Sequence, residues 1–142
     1  MTTAAGAQGA ETLDVVVMSH RPEVREAVMA AVGRRPARDL PKLRFTEATG
    51  IADVLGAADA GKLDLAVLDG EAQPTGGMGV CRQLKNESDH PAPVIVVVRR
   101  EDDRWLATWS QADAVLVQPL DPVTAARTVA DVLRAGVPAR QG

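Results

Sequence analysis

Cysteine and aromatic residues are scarce in this sequence. The one cysteine, Cys81, cannot form a disulfide bond within the chain, so the composition fits a reducing compartment. The aromatic residues are two tryptophans and one phenylalanine, and there is no tyrosine. Each of the three, Phe45, Trp105 and Trp109, therefore needs a structural or functional explanation.

Excess positive charge and long apolar segments are missing as well. The formal net charge is -3 at pH 7, which argues against a nucleic-acid binder, because phosphate neutralisation needs a basic surface. The apolar run at 94–98 is far shorter than the about 20 residues of a membrane span. Residues 1–12 contain neither the basic nor the apolar segment of a signal peptide. We therefore expect a cytoplasmic protein without a nucleic-acid partner and without direct membrane insertion.

The remaining composition is that of a globular domain. Hydrophobic residues make up 46% of the sequence and charged residues 25%, and 142 residues are enough for one domain with a real core. Small and polar residues dominate both ends of the chain. This favours flexible tails at 1–12 and 137–142 around a domain at 13–136.

Strand-like and helix-like segments alternate along this domain. The expected strands are 13–18, 43–48, 63–69, 92–98 and 114–118. The expected helices are 22–33, 51–62, 78–87, 102–111 and 121–136, and the last of them has Asp121 as its N-cap and Gly136 as its end. Five strands that alternate with helices over short connections predict an α/β fold with a five-stranded, doubly wound parallel sheet.

The carboxyl ends of the strands are the expected place for a site. Ligands of open parallel sheets bind beyond these ends, where the strand order reverses. The residues that follow the expected strands are Ser19, His20, Asp69, Gly70, Arg99, Arg100, Gln118 and Pro119. Asp69 is of particular interest, since an acid at the tip of a buried strand often carries chemistry.

Three segments resemble the receiver domain of bacterial response regulators, the CheY-like fold. They are "LDLAVLDGEAQPTGGMGVCRQLK", "PVIVVV" and "VQPLDPVTAARTVADVL". The resemblance covers residues 13–136 and implies a (βα)5 receiver fold. In that family the third strand ends in the phospho-accepting aspartate, and Asp69 falls there. Pro74, Gly77 and Pro119 also match the family pattern.

Other positions depart from the receiver pattern. Receivers carry two acids after the first strand to hold Mg²⁺, and this chain has Ser19 and His20 there. The hydroxyl residue at the end of the fourth strand is replaced by Val98, and the lysine after the fifth strand by Gln118. Val115 stands where receivers have their switch aromatic. The resemblance therefore implies a degenerate pocket, and we predict no catalytic residue, no cofactor and no metal.

Phosphoryl transfer to a carboxylate depends on positioning and on neutralisation of charge. Asp69 supplies one carboxylate, Glu71 is a conceivable second one, and Arg99 or Arg100 offers positive charge in place of the lysine. Asp69 thus stays a candidate phospho-acceptor, although Val98 and Val115 give it no ordinary switch. A third reading is a small enzyme or nucleotide binder at the strand ends.

Trp105 and Trp109 are four residues apart, so they share one face of the expected helix. They either pack onto the sheet or form a docking surface, because tryptophan is enriched at binding hot spots. The charged run at 99–104, which includes Arg104, would then form the polar rim. We take Trp105, Trp109 and Arg104 as candidate partner-binding residues.

The expected function follows from the resemblance. Six residues follow Gly136, so we expect no DNA-binding domain in the same chain. The chain is similar to orphan receiver-like proteins of actinobacteria, some of which are associated with respiratory complex I, the proton-pumping NADH dehydrogenase. The resemblance implies a phosphorylation-independent accessory subunit on the cytoplasmic side of that complex. The alternative is a single-domain two-component response regulator phosphorylated on Asp69.

Overall fold

A computed structural model describes residues 12–70, 84–85, 92–105 and 111–141 of the chain. Its five strands are β1 (Thr12–Met18), β2 (Lys42–Ala48), β3 (Leu65–Asp69), β4 (Val94–Val98) and β5 (Ala114–Val117). They form one sheet in the order β2-β1-β3-β4-β5, and every neighbouring pair is parallel. The predicted five-stranded parallel α/β sheet is therefore confirmed.

The described helices are α1 (Pro22–Val32), α2 (Ile51–Asp59) and α3 (Pro122–Gln141), and a short 3₁₀ helix spans Glu101–Asp103. Asp121 caps α3 as predicted, since its Oδ2 accepts a hydrogen bond from the backbone N–H of Thr124 at 2.9 Å. None of the described helices is long and apolar enough to cross a bilayer.

The predicted end of the last helix is wrong. Gly136 lies inside α3, which continues to Gln141, so most of the segment expected as a C-terminal tail is helical. One glycine costs a helix interior only about 1 kcal/mol, and a helix already packed on the sheet can absorb this cost. At the other end of the chain, Thr12 belongs to β1, and residues 1–11 lie outside the described part.

The sheet is covered on both faces, which explains why β3 and β4 are buried along their whole length. On one face, Val28 of α1 and Leu133 of α3 pack in a cluster with Ile95 of β4. On the other face, Val54 of α2 packs in a second cluster with Leu68 of β3. Alternate residues of each strand therefore belong to opposite core layers.

The strand order determines where on the sheet Ser19 and Asp69 meet. The connection from β1 leads outward to β2, whereas β3 lies on the other side of β1, so the strand order reverses between β1 and β3. In this parallel pair Met18 lies opposite Leu68. The next residues along the two strands, Ser19 and Asp69, are thus brought side by side at the carboxyl edge of the sheet.

Candidate functional site

Asp69 is the centre of a polar cluster at this edge. It is the last residue of β3, and only 2% of it is exposed. Its Oδ2 accepts a hydrogen bond of 2.6 Å from the hydroxyl of Ser19 and one of 3.2 Å from Nη2 of Arg21. A buried carboxylate needs such partners, because an isolated buried charge is very costly. We call Ser19, Arg21, Arg25 and Asp69 the Asp69 site.

Ser19 connects the members of the Asp69 site. It is fully buried directly after β1, and its backbone N–H continues the sheet by donating to the carbonyl of Ala48 at 3.0 Å. Its hydroxyl donates to Asp69 and accepts a hydrogen bond of 3.1 Å from the backbone N–H of Arg21. Its carbonyl accepts a hydrogen bond of 2.5 Å from Nη1 of Arg25. Ser19 therefore fixes both the carboxylate and the loop that carries Arg21.

Arg21 is the member of the Asp69 site that binds the carboxylate and that the sequence does not predict. It precedes α1 in an extended conformation, and Pro22 begins the helix after it. Its guanidinium forms an ion pair with Asp69, and 26% of its side chain is exposed. Its Nε is buried and has no hydrogen-bond acceptor among the described residues. The sequence feature that could have indicated Arg21 is its position in the same loop as Ser19 and His20, at the carboxyl end of β1.

The sequence predicts Arg99 or Arg100 as the source of positive charge at Asp69. Arg99 and Arg100 follow β4 as expected, but both are exposed. Arg100 forms an ion pair of 3.4 Å with Asp103 in the 3₁₀ helix. Within the described residues, the ion pair that Asp69 makes is with Arg21, because the loop after β1 lies next to β3 at the reversal of strand order.

The other predicted pocket residues lie in different surroundings. His20 is exposed, in contrast to its buried neighbour Ser19. Val98 is fully buried in the apolar cluster on the α2 face, and Val115 packs against the same cluster. Gln118 is half-buried after β5, its backbone N–H donates to the carbonyl of Val98 at 2.9 Å, and the peptide bond that follows it is cis. Thus Ser19 joins Asp69, whereas Val98 belongs to the core.

The described residues of the Asp69 site do not fit a magnesium ion. Mg²⁺ takes an octahedral shell of oxygens that usually includes one or two carboxylates. Here one carboxylate lies beside the guanidinium of Arg21, and the carbonyl of Ser19 is taken by Arg25. The described parts of the chain contain no group of three or more His, Cys, Asp or Glu residues that could hold a metal.

Several predicted residues cannot be placed. Glu71, Pro74, Gly77, Cys81 and Trp109 lie outside the described residues.

The described part of the candidate docking surface is exposed. Trp105 is 65% exposed, which contradicts packing of this side chain onto the sheet. Arg104 forms an ion pair with Glu101 through Nε. A large exposed aromatic side chain is typical of an interaction site, and the partner-binding role of Trp105, Trp109 and Arg104 stays a prediction.

Comparisons with known proteins give the family. No protein-family model matches the chain. Two proteins of Mycobacterium tuberculosis, from strains CDC 1551 and H37Rv, are each named as an uncharacterized response regulatory protein. Each is 46% identical to this chain over 123 residues, which are 87% of this chain and 92% of the relative.

Solved structures agree in fold. The receiver domain of the putative response regulator NarL from Mycobacterium tuberculosis superimposes with a TM-score of 0.71 at 21% identity, over 87% of this chain and 98% of that one. The chemotaxis response regulator CheY4 of Vibrio cholerae gives a TM-score of 0.69 at 16% identity, over 86% and 99%. At these identities the likeness concerns the fold alone.

These findings overturn one prediction. The expected phosphorylation-independent accessory subunit of respiratory complex I is wrong, because both mycobacterial relatives are named as response regulatory proteins. They favour the alternative reading, a two-component response regulator. With 46% identity over 92% of these relatives and a CheY-like sheet, the chain belongs to the response regulatory proteins and has their receiver fold.

Proposed function

We propose that this chain is a single-domain two-component response regulator that receives a phosphoryl group on Asp69. The observation that carries the proposal is the position of this carboxylate. Asp69 ends a buried strand at the reversal of strand order, and Ser19 and Arg21 hold its side chain there. The names of the mycobacterial relatives support the same function.

The chemistry needs one nucleophile and compensation of charge. A carboxylate oxygen of Asp69 attacks the phosphorus of the donor, a new P–O bond forms, and the bond to the donor's leaving group breaks. The leaving group departs with the electron pair, and the product is an acyl phosphate on Asp69. Because negative charge approaches negative charge, the reaction requires a cation at the carboxylate. Arg21 is a described cation at hydrogen-bond distance from Asp69.

In this proposal, residues other than the usual receiver residues orient the acceptor carboxylate and compensate its charge. The hydrogen bond from Ser19 orients the carboxylate where receivers have an acid, and Arg21 brings positive charge from the loop after β1. Val98 offers no hydroxyl to a phosphoryl oxygen, since its side chain lies in the apolar core. In this proposal the signal reaches a partner protein, and no DNA is bound by this chain.

The experiment measures phosphoryl uptake directly. The full-length protein is incubated with acetyl phosphate and Mg²⁺, and its intact mass is followed over time. We expect a gain of one phosphoryl group in the wild type and none in Asp69→Asn, because the amide is not a nucleophile for this reaction.

Asp64→Asn is the matched control for this experiment. Asp64 is also buried, directly before the same strand, where its Oδ2 accepts a hydrogen bond of 2.7 Å from the N–H of Asp14 at the opposite edge of the sheet. This variant should take up the phosphoryl group like the wild type. A wild type that stays unmodified, or an Asp69→Asn protein that is still modified, would falsify the proposal.

A further inference from the structure

Two arginines lie around the candidate phospho-acceptor among the described residues. Arg21 pairs with Asp69 at 3.2 Å, and Nη1 of Arg25 is bound to the carbonyl of Ser19 directly beside it. Arg25 also forms an ion pair of 2.8 Å with Glu47, so its charge is shared with an exposed carboxylate. Among the described residues, Arg21 is thus the cation that contacts the carboxylate of Asp69.

The edge of the Arg21 guanidinium carries a second donor, Nε, for which the described residues provide no acceptor. Nε and Nη2 lie on the same edge, and this edge binds two oxygens of one anion side by side. Nη2 already donates to Asp69, whereas Nε is buried and lacks an acceptor among the described residues. Buried donors without a partner are rare in folded proteins. The neighbouring position of Nε therefore fits an oxygen of an anion attached to, or lying against, Asp69.

A divalent cation would compete with this arrangement. To reach the carboxylate of Asp69, the ion would have to enter beside the guanidinium of Arg21, at a cost in electrostatic repulsion. It would also find the carbonyl of Ser19 already bound to Arg25. Oδ2 of Asp69 and the carbonyl of Ser19 therefore both already have cationic or hydrogen-bonding partners.

We propose that the guanidinium of Arg21 takes the place of the divalent cation at the Asp69 site, and that it binds the phosphoryl oxygens through Nε and Nη2. Phosphorylation of Asp69 is then independent of Mg²⁺. This inference rests on the proposed function, since it concerns the way in which the same phosphoryl group is held. Arginine suits this task because its planar fork matches phosphate oxygens and stays charged at any physiological pH.

The first arm of the test varies the metal. Phosphorylation of the full-length protein by acetyl phosphate is followed by intact mass in the presence of a chelator and at increasing concentrations of Mg²⁺. We expect the rate in the chelator to agree with the rate in Mg²⁺ to within about twofold. A rate that depends strongly on Mg²⁺ overturns the inference but leaves the proposed function intact. Absence of uptake under every condition contradicts the proposed function itself.

The second arm varies the arginine. Arg21→Gln should slow phosphorylation on the order of 100-fold, the loss typical of removing one donor that stabilises developing negative charge. Arg44→Gln is the control, because Arg44 forms a comparable ion pair of 2.7 Å with Asp14 away from the site. Equal rates of phosphorylation for Arg21→Gln and the wild type would contradict the inference.

The third arm reports on the contact without relying on a rate or on a variant. The side-chain Nε–H signals of arginines are recorded by NMR in the wild type before and after phosphorylation. We expect the Nε–H signal of Arg21 to move downfield, as it gains a phosphoryl oxygen as acceptor, and that of Arg44 to stay in place. An unchanged Arg21 signal in the phosphorylated protein would show that the phosphoryl group is held by other groups.

Discussion

At the scale of single residues, burial decides which side chains take part in the site. Ser19 follows β1, Asp69 ends the adjacent strand β3, and both are buried, so the short hydrogen bond between them lies out of solvent. His20 is next to Ser19 in sequence and yet exposed. Successive side chains along an extended backbone point in opposite directions. Ser19 can therefore belong to the site while the next residue, His20, lies on the surface.

Removal of the Ser19 hydroxyl should therefore destabilise the protein. In Ser19→Ala the carboxylate of Asp69 and the N–H of Arg21 each lose a partner. A buried polar group without its hydrogen bond costs about 1–3 kcal/mol, so we expect the free energy of unfolding to fall by this amount. Urea unfolding measures the change. An unchanged unfolding midpoint would mean that water or another group replaces the hydroxyl.

At the scale of elements, α3 is tied to the loop that follows α1. Nε and Nη2 of Arg134 both donate to the carboxylate of Asp39, each at 2.8 Å. The hydrogen bond from Arg134 lowers the pKa of Asp39 from 3.8 to about 2. This bidentate pair joins residues 95 positions apart in the sequence, so it reports on the docking of α3.

The pH dependence of this pair has a defined sign. A carboxyl group with a lower pKa in the folded state stabilises the fold above its unfolded pKa, and this contribution is lost as the pH falls from about 4 to about 2. In Arg134→Gln the pKa of Asp39 should return towards 3.8, as measured by NMR titration of the carboxyl carbon. Arg44→Gln should leave it at about 2, and a pKa of Asp39 that is the same in Arg134→Gln as in the wild type would refute the assignment.

The interior strand β4, which is buried along its whole length, should tolerate core substitutions poorly. Ile95 is fully buried and packs in a cluster with Val67 of the neighbouring strand β3. Ile95→Ala removes buried methyl groups and leaves a cavity, and we expect a loss of about 2–5 kcal/mol in the free energy of unfolding. Val123→Ala is the exposed aliphatic control, since Val123 is 63% exposed, and it should change stability by less than about 0.5 kcal/mol. Equal effects of the two substitutions would contradict the assigned core.

The sequence was informative about elements and less so about their ends. The apolar runs of β3 and β4 predicted buried parallel strands, because only a sheet covered on both faces tolerates such continuous burial. Gly136 was expected to end the last helix, but one glycine costs a helix interior only about 1 kcal/mol, and α3 continues to Gln141.

The residues of the candidate site were also predictable only in part. The sequence placed Asp69 and Ser19 correctly at the carboxyl edge, since position after a strand is enough to predict it. Arg21 could not be selected from the pattern, because its contact with Asp69 depends on the path of the loop and on the rotamer of a long side chain. Arg99 and Arg100 had the same chemistry and the same relation to a strand end, and nothing in the sequence ranked the three.

At the scale of the whole molecule, the topology explains why one edge concentrates the chemistry. All five strands are parallel, so their carboxyl ends meet at one edge, and the strand order reverses there between β1 and β3. Ligands of open parallel sheets bind at such reversals. The family relationship is the reason why we propose phosphoryl transfer at this edge. In the proposed function, Asp69 is the acceptor, and the observed contacts with Ser19 and Arg21 hold its side chain at this edge.

Chemical location of the phosphoryl group tests the central claim most directly. The full-length protein is treated with acetyl phosphate, the acyl phosphate is reduced with borohydride, which converts a phosphorylated aspartate into homoserine, and the peptides are sequenced by mass spectrometry. The account predicts homoserine at position 69 and at no other aspartate. Homoserine at a different position, or an intact aspartate at position 69 in every peptide, would contradict it.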